Sequence, residues 1–194
     1  ERLRREYNLD LIATVPSVAY KVYRKDGQAE TIRTPQAFPP KESIEKIEEP
    51  WVSLDVITPA EYLGAVMNLS QEKRARYLNT EYIDETRAVI HYRIPMSSIL
   101  TDFYDKLKSA TSGFASINYD LYGYEEANVV KMDILVAEEP VEALSTIVYE
   151  DEAFYRGKEI VGTLKETLPR QMFVVKLRAA VGSKIVAAEK LPAL

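Results

Sequence analysis

"WVSLDVITPAEYLGAVMNLSQEKR", Trp51 to Arg74, is the stretch on which the fold turns. Its first seven residues alternate, which places Val52, Leu54 and Val56 on one face of a strand. Then the period changes. "TPAE" predicts a helix start, with Thr58 as cap, Pro59 in the first turn and Glu61 closing a capping box. Leu63, Val66 and Met67 follow at helical spacing, and Lys73 and Arg74 end the helix with charges that complement its dipole.

Working outward, "ARYLNTEYI" and "TRAVIHYRI" predict two strands around Asp84-Glu85. Pro95 opens a second helix, in which Ile99, Leu100, Phe103 and Leu107 make one stripe and which Gly113 ends. "FASINYDLYGY" predicts a fourth strand with Ala115, Ile117, Tyr119 and Leu121 facing inward. The order over residues 50–124 is βαββαβ. That is an α+β, ferredoxin-like sandwich.

The flanks differ in kind. Residues 1–34 read as the tail of a preceding domain: a helix end, "ERLRREYN", a strand, "LDLIATVPSVAYKVYR", a turn at Asp26-Gly27 and a short strand, "AETIRT". A charged, helix-like opening without an initiator Met predicts that the chain begins inside a longer protein. Residues 35–49, rich in proline and charge, read as a linker. Residues 125–194 predict a small α+β domain. It has two strands about Glu138-Glu139-Pro140, a helix "EAFYRGKEIVGTLKETL" ended by Pro169, and a β-hairpin turning at Gly182-Ser183. In the hairpin, Phe173, Val175 and Leu177 fall inward, while Arg170, Lys176, Arg178 and Lys184 form an outward cationic set.

Catalytic chemistry is hard to place. The absence of cysteine excludes disulfides, zinc–thiolate sites and thiol nucleophiles. His91 is the only histidine; in phase with Arg87, Val89 and Arg93, it cannot build a His-based metal site alone. There is no GxxxxGK[ST], GxGxxG or GxSxG sequence. The pairs Glu48-Glu49, Glu125-Glu126 and Glu138-Glu139 lie beside prolines or turns and read as solvated loops. No catalytic, cofactor-binding or metal residue is therefore expected in this chain. No apolar run approaches the ~20 residues of a membrane span.

Nucleic-acid binding has mixed support. The 13 tyrosines invite a base-stacking role, and the fourth strand turns Phe114, Ser116, Asn118, Asp120 and Tyr122 outward. No RNP1-like run accompanies them, and Asp120 would repel phosphate. Net charge is −5, but it is uneven: residues 51–140 hold 8 Lys+Arg against 14 Asp+Glu, and residues 141–194 hold 8 against 7. Lys73, Arg74, Lys106 and Lys108 have an ordinary explanation at helix ends. The hairpin set fits a solubilising face and a phosphate-contacting one equally well.

Longer blocks decide between them. "ERLRREYNLDLIATVPSVAYKV", "ITPAEYLGAVMNL", "YIDETR", "IPMSSILTDFYDKLKSATSGFASINYDLYGY" and "LPRQMFVVKLRAAVGSKIVA" together resemble the LepA family. This is a family of ribosome-associated translational GTPases related to elongation factor G. The resemblance runs over nearly the whole chain, in matching order. It implies that residues 50–124 correspond to the domain shared with elongation factor G, and 125–194 to the start of a LepA-specific C-terminal domain. It further implies a non-catalytic segment of a factor that aids protein synthesis through back-translocation or fidelity. GTP and Mg²⁺ would be bound by a G domain absent from this chain, and a basic C-terminal tail is absent as well. The implied partners are the ribosome, with large-subunit rRNA near the A site, and tRNA. The implied setting is a monomer in bacterial cytoplasm or an organelle, with peripheral attachment to the inner membrane face as a further location. Arg170, Lys176, Arg178, Lys184, Lys73 and Arg74 become RNA-contact candidates, chiefly to phosphates. "SATSG", Ser109 to Gly113, departs from the arginines common in relatives, which implies a weaker contact there. Two rivals share the topology. One is an acylphosphatase-type enzyme, which needs an arginine-bearing anion loop where this chain has "VITPAEY"; the other is a small-molecule-binding module.

Overall fold

The computed structural model describes residues 18–194. The helix end and first part of a strand expected within residues 1–17 lie outside the described residues. In chain order the strands are β1 (Tyr20–Arg24), β2 (Ala29–Ile32), β3 (Ile44–Pro59), β4 (Arg76–Tyr82), β5 (Arg87–Pro95), β6 (Ser116–Glu126), β7 (Val129–Val136), β8 (Glu139–Pro140), β9 (Thr146–Tyr149), β10 (Val175–Val181) and β11 (Lys184–Leu191). The helices are α1 (Leu63–Glu72), α2, assembled from Met96–Ser98, a π-turn Ile99–Phe103 and Tyr104–Ala110, and α3 (Ala153–Thr167). The chain divides into two compact units, residues 18–20 with 48–126 and residues 21–47 with 127–194.

In the first unit the strands lie in the order β6-β3-β5-β4, antiparallel throughout. This is the split-βαβ arrangement of a ferredoxin-like sandwich, with α1 and α2 as the crossovers. Cross-strand pairs explain its core. Val52 lies opposite Ile94, Leu54 opposite Tyr92 and Val56 opposite Ile90. These side chains meet Val66 and Leu69 of α1 and Ile99, Phe103 and Leu107 of α2. Each such buried side chain contributes roughly 1.5–3 kcal/mol relative to its exposed state.

Four local expectations are corrected. Thr58 and Pro59 stay in the β3 ladder opposite Ala88 and Arg87, so Thr58 cannot cap α1; its hydroxyl donates to the Pro59 carbonyl at 3.2 Å instead. A 3₁₀ turn at Ala60–Tyr62 intervenes and α1 begins at Leu63 without a side-chain cap. In α2 the backbone leaves helical geometry at Thr101, and the neighbouring Leu100, expected in the buried stripe, is exposed. Tyr119 and Leu121 do share the helix-side face, opposite Leu54 and Val52, yet both are exposed, Leu121 by 65%. Among the described residues β6 pairs only with β3 and forms the sheet edge; Ile117 of β6 packs against the core, whereas Tyr119 and Leu121 farther along do not join it. Finally, strand begins at Ile44, inside the stretch read as linker, because Ile47 alternates into a buried position ahead of Trp51.

In the second unit β7 is central, with β10 and β11 on one side and β8 and β9 pairing to it as well. Val130, Met132 and Ile134 of β7 and Val175, Leu177 and Ala179 of β10 pack against Ile160, Val161 and Leu164 of α3. Gly157 makes the closest approach: a Cβ there would lie 2.9 Å from Ala179 Cβ, 3.3 Å from Val186 Cγ2 and 3.4 Å from Ala187 Cβ. The β7–β8 turn passes through Ala137 (φ 52°) and Glu138 (φ 69°), left-handed geometry that glycine or asparagine adopts with less strain.

Candidate nucleic-acid interface

The hairpin decides where cations meet. Straight counting from the Gly182-Ser183 turn sets Lys176 opposite Glu189. A bulge between Ala179 and Ala180 adds one residue on β11, so Lys176 lies opposite Lys190, and Glu189 opposite the buried Leu177. Lys176, Arg178 and Lys190 therefore share a face. Together with Lys165 from the last turn of α3, Ala188 and Glu189, they line a shallow groove of about 490 Å³.

The groove is only partly neutralised. Lys165 donates to Glu189 at 2.8 Å, and Lys176 to Glu138 at 3.3 Å. The Lys165 hydrogen bond and its charge hold the Glu189 carboxyl below its ordinary value, so it stays ionised. Arg178 and Lys190 have no carboxylate partner among the described residues. The groove thus carries four cations against one lining carboxylate, with Glu138 at its margin. Phosphate oxygens fit such a surface.

The other candidates are placed differently. Arg170 is exposed in the segment between α3 and β10. Lys184 stands beside the turn, opposite Val181, and its charge acts on Glu150 rather than in the groove. Lys73 donates to Asp102 at 2.6 Å, and Lys106 pairs with the same carboxylate at 2.9 Å, which ties α1 to α2. Partial burial alone would raise the Asp102 carboxyl, but the two ammonium groups outweigh it and hold it at about 2. Arg74 is half-buried in a left-handed conformation, φ 65°, just past α1. Lys165 and Lys190 escaped sequence reading. Lys165 looks like an ordinary helix-end cation, and Lys190 reaches the groove face only through the bulge.

The open face of the first sheet is occupied by its own side chains. His91 Nδ1 meets Asp55 Oδ1 at 2.6 Å and Nε2 meets Glu81 Oε2 at 3.2 Å, so carboxylates do flank the histidine. The Asp55 hydrogen bond raises the imidazole above its ordinary value. Arg93 lies 4.0 Å over the Tyr122 ring and Arg76 lies 4.4 Å over Trp51, with Arg76 also paired to Glu125 at 2.7 Å. Rings already covered by guanidinium groups are poor platforms for bases. The β3–α1 passage that a phosphatase would need as an anion loop carries no arginine between Ile57 and Tyr62. No cluster of His, Asp or Glu among the described residues is arranged to hold a metal ion, and no helix among them is long and apolar enough to cross a membrane.

Comparison with known proteins also divides the chain in two, near but not at the boundary of the units. Residues 46–135 match the family described as Elongation factor G C-terminus, and residues 136–194 match GTP-binding protein LepA C-terminus. Proteins named Elongation factor 4 from Synechococcus elongatus, Clostridium novyi and Clostridium perfringens are 47%, 48% and 49% identical over 194 residues, all of this chain. The chain belongs to the LepA family. It spans 32% of the length of these curated relatives. In this chain the two family matches meet at residue 135, inside β7, whereas packing divides the units at Ala127, since β7 joins the core of α3 and the hairpin. The LepA-type C-terminal module is thus the part that carries the cationic groove.

Proposed function

We propose that this chain is the RNA-facing portion of a LepA-type elongation factor acting in protein biosynthesis in the cytoplasm. Its partners are the ribosome, through large-subunit rRNA near the A site, and tRNA. The step aided is back-translocation or a related fidelity step, and GTP with Mg²⁺ is bound and hydrolysed by another part of the factor. The observation that carries the reading is the groove in which Lys165, Lys176, Arg178 and Lys190 converge on the module matched to LepA. Contacts there are to backbone phosphates and fix position rather than read sequence. Family membership and the absence of any phosphate-cradling motif in this chain support a positional role over a catalytic one.

The test is co-sedimentation of the chain with purified ribosomes across a potassium chloride series. Reversing charge at Lys176 and Arg178 should weaken association most at low salt and reduce the salt slope by roughly one unit per lost contact. Co-sedimentation that is unchanged at every salt concentration removes the groove from the interface.

A further inference from the structure

The segment between α3 and β10 is not accounted for by the groove beside it. Phe173 was expected to face inward as part of the hairpin, but β10 starts only at Val175, and Met172, Phe173 and Val174 are 84%, 61% and 53% exposed. Three consecutive apolar side chains in water mark a surface that meets something. Their backbone is tethered: Leu168 N–H donates to Leu164 O at 2.9 Å, and Leu194 N–H donates to Gln171 O at 2.9 Å. Lys165 precedes the segment, Arg170 lies in it and Lys176 follows it. Phe173 and Lys176 are three residues apart, so their Cα atoms are separated by at most about 11 Å, the reach of neighbouring nucleotides along one strand. Unlike Tyr122 and Trp51, Phe173 has no cation or ring stacked on it among the described residues.

We infer that Phe173 is a stacking platform for an unpaired base of single-stranded RNA whose phosphates lie in the Lys176–Arg178–Lys190 groove. This rests on the RNA-facing function proposed above. Charge complementarity favours a strand over an anionic lipid surface. The cations line a groove rather than a flat rim, and Glu189 in the groove and Glu138 at its margin would be pressed against a sheet of headgroups. A single strand can pass them by, with its phosphates on the cations and one base turned onto the ring.

The experiment uses the full chain, a fluorescein-labelled oligocytidylate, an RNA duplex of equal length, and vesicles of phosphatidylglycerol with phosphatidylcholine. Phe173→Ala should weaken single-strand binding about 5- to 150-fold, the worth of one stacked base, and leave duplex binding and salt slope unchanged. Phe173→Trp should retain affinity and show emission that changes on binding the single strand only. Lys176→Glu with Arg178→Glu should weaken both RNAs and flatten the salt dependence. Phe173 is exposed, so loss of folding does not confound the alanine variant. Any of these results overturns the inference: equal single-strand affinity for wild type and Phe173→Ala, equal losses on both RNAs, or a Phe173 dependence seen with vesicles and not with RNA. In the first, persistence of the charge-reversal effect keeps the groove reading. If neither RNA binds at all, both readings fall.

Discussion

Gly157→Ala offers the sharpest test of how α3 seats on the hairpin. Alanine in a helix interior is favoured over glycine by about 1 kcal/mol. At Gly157 the new methyl would lie 2.9 Å from Ala179 Cβ, closer than such atoms tolerate, and a tight 3.3 Å from Val186 Cγ2. Ala179 has no rotamer to change, so the strand or the helix must move, and overpacking of this kind costs about 1–3 kcal/mol. The net change is a loss of up to about 2 kcal/mol. Gly162 in the same helix has nothing within 4 Å of a built Cβ, so Gly162→Ala should show the helix preference alone. At about 2–4 °C per kcal/mol for a chain of this size, the second variant should melt a few degrees above wild type and the first up to about 8 °C below it. Differential scanning calorimetry of the three proteins decides the matter. If Gly157→Ala melts with or above Gly162→Ala, the close approach described here is wrong.

Three further perturbations follow from particular contacts. Asp102→Asn removes the carboxylate between Lys73 and Lys106; the site is about half exposed, so the loss at neutral pH should be about 0.5–1 kcal/mol. Because the Asp102 carboxyl is held down at about 2, its contribution is present above the usual carboxylate range and fades as pH falls through about 2. Urea midpoints of the two proteins should therefore converge on acidification. His91, raised by its Asp55 hydrogen bond, contributes stability below its ordinary value that is lost as pH rises through the raised one; Asp55→Asn should shift its NMR titration downward, and an unshifted curve would contradict the pairing. Glu138→Gly relieves a left-handed φ of 69° and should raise stability by about 1 kcal/mol in denaturant melts, while freeing Lys176 to bind RNA more tightly.

How far the chain announces this structure depends on the kind of information. The switch of period after Val56, and the strand pair around Asp84, are local and were legible as βαββαβ. The facing of Tyr119 and Leu121 was legible too, but their exposure was not, because alternation reports a face and not whether anything covers it. Thr58 failed as a cap because the ladder with β5 extends to Pro59, a non-local pairing that overrides the local signal. Among the cations, Lys176 and Arg178 were found from phase alone. Lys190 was not, since its place depends on a slip in register. Phe173 was read as strand because it alternates in phase with Val175 and Leu177, and the tether from Leu194 that holds that segment is remote in sequence.

The extra residue on β11 has a longer reach than its size suggests. Its neighbourhood is sterically fixed: Val186 leans toward the space that Gly157 leaves open on the helix. Were Val186 drawn into regular pairing, every partner downstream would advance by one and a carboxylate would stand where an ammonium now stands. The seat of the helix on the hairpin and the charge of the groove are thereby linked through one residue. Heritable change in this groove's charge can thus arise from altered spacing alone, with the inventory of ionisable residues untouched.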